Sequence, residues 1–169
     1  MELENTNRKL VKSGQIINLM RPIISAMNRA GYYYSIRYDL DEWARVRKAM
    51  TPEQFLLAST FDPTHCDQSQ SYWIEVRDRV GDIAAVIAAR HFETVDFVEM
   101  QKSGKIWSDN PRFGRLNLCF PDDFNLSGSF VYRGGLCVKK SHRKKGLSWI
   151  LPRLSLIQIS EPTRRTPIS

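Results

Sequence analysis

The chain has 169 residues, with 25 Lys and Arg against 18 Asp and Glu, a net charge of +7 and a pI of about 9.5. Hydrophobic residues make up 42% and charged residues 25%, an ordinary globular balance that excludes a largely disordered chain and suits one domain with its own core. A basic balance permits nucleic-acid or anionic-ligand binding without selecting either.

No apolar run is long enough to span a bilayer, and the longest, Ile83 to Ala89, suits a buried strand. Met1-Glu2-Leu3-Glu4-Asn5 lacks the basic segment and apolar core of a secretory signal, so a cytoplasmic location and no membrane contact are expected. Cys66, Cys119 and Cys137 share no metal-ligand spacing, and an odd count without a leader favours reduced thiols. His65 beside Cys66 reads as a loop dipeptide, and no metal is expected.

In chain order, the first element is a helix near Gln15 to Arg29. Ile16, Met20, Ile23 and Met27 recur at three or four residues, Pro22 bends it or marks its start, and Gly31 closes it. Tyr32 to Asp39 alternates as a strand. Asp39 and Glu42 form a capping pair for a helix with Trp43, Val46 and Met50 inward, and Thr51-Pro52-Glu53-Gln54 opens another. Asp62 to Ser71 has no period and reads as loop. Tyr72 to Arg77 and Ile83 to His91 form a hairpin across Arg79 to Asp82. A helix is expected from Thr94 to about Ser103, a short strand at Leu116 to Phe120, and a strand from Phe130 to Lys139.

That last strand enters the most informative stretch of the chain, Gly135 to Ser148. An apolar strand end, Leu136-Cys137-Val138, feeds the basic loop Lys139-Lys140-Ser141-His142-Arg143-Lys144-Lys145-Gly146 and then an apolar helical segment, Leu147 to Leu154. A loop at a helix N-terminus offers outward N–H groups and the positive end of the helix dipole, so phosphate is the first ligand to consider. Neither Gly-x-x-x-x-Gly-Lys-Ser/Thr nor Gly-x-Gly-x-x-Gly is present.

Arg143-Lys144-Lys145-Gly146-Leu147-Ser148 resembles the acyl-CoA loop of the GCN5-related N-acetyltransferases, with its Arg/Gln-x-x-Gly-x-Gly/Ala core. Ser148 stands where that family has Gly or Ala. The layout from Gln15 to Leu154 is also similar, which implies an α/β domain with a mixed, mostly antiparallel sheet flanked by helices. The resemblance implies acetyl-CoA or another acyl-CoA as cosubstrate, an amine as acceptor, and direct transfer between them. Leu136, Cys137, Val138, Arg143, Lys144, Lys145, Gly146, Leu147 and Ser148 would then bind the cofactor, with Lys139 and Lys140 also near its phosphates. A main-chain N–H at Leu136 or Val138 would polarise the thioester carbonyl. No general base is legible. Glu75 and His91 are the candidates, although Glu75, between Ile74 and Val76, reads as solvent-facing and His91 as a strand-end packing residue. Cys137 reads as a small buried strand residue, and the aromatic residues mostly as core.

The family continues beyond the loop helix with further strands, whereas 155–169 shows no helical or strand period and carries Pro162 and Pro167. The expectation is therefore an incomplete acyltransferase domain over 1–154, lacking its C-terminal strands, and a non-family tail over 155–169 that is either disordered and native or artefactual. Glu161 to Ser169 looks like translated sequencing-adapter read-through. The strand feeding the loop would keep an exposed edge, through which two copies could pair. The alternatives are a basic nucleic-acid-binding module and a catalytically inactive acyltransferase-like fragment.

Overall fold

A computed structural model describes residues 18, 20–51, 59–107, 117–121 and 124–160. Its centre is a four-stranded antiparallel sheet in the order β1 (Tyr33–Arg37), β2 (Ser71–Arg77), β3 (Ile83–Thr94), β4 (Gly128–Val138). The helices are α1 (20–29), α2 (Leu40–Met50), α3 (Phe97–Lys102) and α4 (Leu147–Ser160). The α/β architecture is thus the expected one.

Strand alternation splits the core into two layers. Tyr72, Ile74 and Val76 of β2 face one side and pack with Met20 and Met27 of α1 and Leu147, Leu151 and Leu154 of α4. Trp73 faces the other side, with Leu40 and Trp43 of α2 and with Phe61, Val86 and Cys137. Buried on both faces, β2 and β3 are the central strands. A small satellite cluster joins Phe92, Met100 and Ile106.

Local chemistry sets the element ends. The Asp39 carboxylate accepts from the Glu42 N–H at 2.9 Å and caps α2, whose first turn holds Asp41 and Glu42 and whose last holds Arg47 and Lys48, each favoured by the helix dipole. Asp78 accepts from the N–H groups of Val80 and Asp82 and, with Gly81 at φ +88°, folds the β2–β3 turn.

Several boundaries differ from expectation. β3 runs on to Thr94 and β4 starts at Gly128 because those two residues pair, a long-range contact that neither segment displays alone. The cap of α3 is Asp96, not Thr94. Asp62 to Ser71 holds a 3-10 turn at Gln68–Gln70, and Ser71 already belongs to β2. Residues 117–120 are irregular rather than strand, and Leu116 lies outside the described residues, as does the helix expected after Pro52. α4 continues through Pro152 to Ser160 instead of ending at Leu154. The Ser155 hydroxyl and the Arg133 guanidinium both reach the Pro152 carbonyl, and residues 161–169 lie outside the described residues.

The decisive local feature is in β4. Val86 pairs with Cys137 and Ala88 with Gly134, so β4 spends one extra residue and bulges. Gly135 sits there at φ +61°, and a Cβ on it would lie 2.3 Å from Trp43 Cζ2. Only glycine lets the strand descend onto that indole. Among the described residues β4 pairs with β3 alone, so its outer edge is open, as expected.

Gly135→Ala is expected to cost about 2–4 kcal/mol in chemical denaturation, combining left-handed strain with overpacking. Gly81→Ala, with nothing within 4 Å of its Cβ, is expected to cost only about 1 kcal/mol.

Candidate functional site

At the C-terminal end of β4 the structure forms a cleft of about 430 Å³, within the range of small-ligand pockets. One wall is Leu136, Cys137 and Val138, immediately after the bulge. A second is His142, Arg143 and Lys144 with Leu147 and Ser148 of α4. The third is Arg47 and Thr51, from the C-terminal end of α2. Four of these ten residues are cationic or can become so, and none is acidic.

The loop is fixed at several points. The Lys139 N–H donates to the Ala84 carbonyl at 2.9 Å, and the Lys139 ammonium approaches Asp82 at 3.5 Å. His142 is inserted between two other elements: its Nδ1 lies 2.9 Å from the Tyr32 hydroxyl and its Nε2 3.5 Å from an Asp78 carboxylate oxygen. Lys144 has φ +62° and Gly146 φ +78°, and the reversal they produce aims the chain into α4. In the first turn of α4 the Trp149 and Ile150 N–H groups donate to the Gly146 carbonyl at 3.0 and 3.1 Å, while those of Leu147 and Ser148 precede the helical ladder, where an anion can satisfy them.

Of the residues expected to bind a cofactor, Leu136, Cys137, Val138, Arg143, Lys144, Leu147 and Ser148 line the cleft, whereas Lys145 and Gly146 do not. Sequence reasoning missed Arg47 and Thr51. Their only signal is position at a helix end, and nothing local to α2 says that this end meets β4.

The two candidate bases lie elsewhere. Glu75 is not solvent-facing: it is 1% exposed on the α2 side of the sheet. Its carboxylate accepts from the Ser35 hydroxyl at 2.7 Å, from Arg37 Nη2 at 3.1 Å and from Arg77 Nη2 at 3.0 Å. Burial raises its pKa, but the hydrogen bonds from Arg77, Ser35 and Arg37 together outweigh it and hold the carboxyl below the usual range. Such a group ties β1 to β2 and has little basicity to offer. His91 sits within β3 rather than at its end, bonded to the Ser129 hydroxyl. Neither lines the cleft.

Tyr32, Trp43, Tyr72 and Trp73 are core, as expected of the aromatic residues, but Tyr33 and Trp149 are exposed, the latter stacked under Arg153. Among the described residues, no group of three His, Cys, Asp or Glu is placed to hold a metal ion, and no helix is long and apolar enough to cross a membrane. A second, wider depression of about 950 Å³ lies at the opposite end of β4, between the end of β3 and α3. Its Asp96 is already engaged in capping α3.

No protein-family model and no curated protein sequence matches the chain. Among solved structures it is similar to a GCN5-related N-acetyltransferase from Ralstonia eutropha JMP134, at 18% identity and a TM-score of 0.45, over 78% of each chain. A likeness this distant decides neither ligand nor activity.

Because the folded pKa of Glu75 is depressed, its contribution to stability is full above a glutamate's ordinary 4.5 and is lost as pH falls through the lower folded value. Glu75→Gln is expected to lower stability at pH 7 by about 1–2 kcal/mol, discounted because both guanidinium partners are partly solvated, and to flatten the acid limb of a stability-versus-pH curve. An unchanged acid limb would remove Glu75 from this role.

Proposed function

We propose that the cleft binds the phosphate end of an acyl-CoA and that the domain is an acyltransferase of the GCN5-related N-acetyltransferase type, moving an acyl group to an amine. The observation that carries this reading is the convergence, in one cleft, of a strand end whose outer edge is unpaired among the described residues with a helix N-terminus and basic side chains, and with no carboxylate among the described lining residues. A pyrophosphate fits the N–H groups at the start of α4 with Arg143 and Lys144 beside them. The unpaired edge of β4 offers N–H and C=O groups at Leu136 to Val138 to the amides of a pantetheine arm.

In this reading the thioester carbonyl lies against β4 near the bulge and accepts a hydrogen bond from the N–H of Leu136 or Val138. The neutral amine attacks the carbonyl carbon, the C–N bond forms, the C–S bond breaks, and the departing thiolate takes up the proton that the attacking nitrogen releases. Positioning and polarisation supply the rate, since Glu75 is saturated by its guanidinium partners and His91 is distant from the cleft. The acceptor is an amine of undefined class.

The nucleic-acid reading is less well supported. Lys139 is engaged by Asp82 and His142 by Asp78, and Arg143 and Lys144 converge on one cleft rather than forming a stripe.

Calorimetric titration of acetyl-CoA into the 169-residue chain is expected to show saturable one-to-one binding, weakened roughly tenfold or more when Arg143 and Lys144 are both replaced by Ala. Failure of the folded chain to bind, together with steeply salt-dependent binding of oligonucleotides, would replace the acyltransferase reading with the nucleic-acid one.

A further inference from the structure

Among the described residues, Arg47 is the one long cationic side chain that reaches the cleft from the opposite side of the sheet end to the basic loop. It stands in the last turn of α2 beside Lys48, and the helix dipole favours a cation at either position. The two side chains nonetheless go different ways: Lys48 is exposed to solvent, while Arg47 is half-buried and lines the cleft. Its guanidinium carbon lies 5.5 Å from the centroid of the Trp43 ring. That indole is fully buried and wedged under Gly135, so the arginine rests on a packed core side chain. The Thr51 hydroxyl donates to the Arg47 carbonyl at 3.2 Å, closing the helix at this residue and presenting Thr51 to the same cleft.

We infer that Arg47 is a phosphate ligand of this cleft, acting across it from the α4 N-terminus, and that the site therefore selects a ligand with at least two phosphate groups over one with a single anionic group. The inference rests on the acyl-CoA reading for the identity of the ligand but not for its chemistry. One phosphate of a diphosphate occupies the N–H groups of α4 with Arg143 and Lys144, and another group meets the planar guanidinium fork from the α2 side. A guanidinium suits this place better than an ammonium, because it stacks on the indole and still presents paired N–H donors to phosphate oxygens.

The test is calorimetry on the full chain with two probes, coenzyme A and inorganic pyrophosphate, for wild type, Arg47→Ala, Arg47→Lys and Lys48→Ala, each checked by thermal melting. Arg47→Ala is expected to weaken both probes roughly tenfold or more, Arg47→Lys by a smaller factor, and Lys48→Ala by less than about twofold. Inorganic phosphate is expected to bind more weakly than pyrophosphate to wild type and to lose less on Arg47→Ala. If Arg47→Ala does not fold, Arg47→Lys carries the test, and unchanged affinity in it overturns the inference. Wild type that binds coenzyme A with Arg47 variants that bind equally well overturns this inference alone. Wild type that binds pyrophosphate through Arg47 but not coenzyme A keeps the inference and removes the acyl-CoA reading. Binding of neither probe removes both.

Discussion

The structure depends on the seating of β4 upon Trp43. A strand with side chains at positions 134 and 135 could not lie where this one does, because the indole of Trp43 and the ring of Phe61 occupy the space a Cβ would need. Two consecutive glycines remove the obstruction, and the left-handed conformation of Gly135 turns the contact into a bulge. The bulge interrupts the β3–β4 ladder just before Leu136, and the three residues that follow become a wall of the cleft. A packing contact in the core thus sets the geometry of a surface site, through a backbone that has no freedom to relax.

The same contact joins the two sides of the cleft. Trp43 belongs to α2, and α2 ends at Arg47 and Thr51, so one side chain registers α2 against β4 and delivers Arg47 to the cleft. On the far side, Tyr32, His142 and Asp78 pin the basic loop to the start of β1 and to the β2–β3 turn. The cations of the cleft are therefore carried on elements held by buried or half-buried contacts. That is what a site needs if it is to bind a flexible, highly charged ligand without first ordering itself.

Glu75 plays the complementary role within the sheet. A buried carboxylate between two guanidinium groups and a hydroxyl is costly unless every lone pair is used, and here the neighbours on β1 and β2 use them. The alternation Ile74-Glu75-Val76 reads as a polar residue turned to water. That reading fails because α2 covers this face too, and period-two patterning reports which residues share a face, not whether the face is dry.

The sequence by itself determined the elements whose signals are local: the Asp39 cap, the β2–β3 hairpin, the strand that feeds a basic loop, and the apolar start of α4. It also determined most of the cleft's loop side, because strand, loop and helix are consecutive and the chemistry of a helix N-terminus needs no distant partner. Only the tertiary structure decided what meets that loop. Arg47 and Thr51 are some 90 residues away in sequence, and the burial of Glu75, the extension of β3 to Thr94 and the fit of Gly135 over Trp43 all depend on pairings across elements. Those contacts are set by register and packing, and such information is carried jointly by residues that no local window contains.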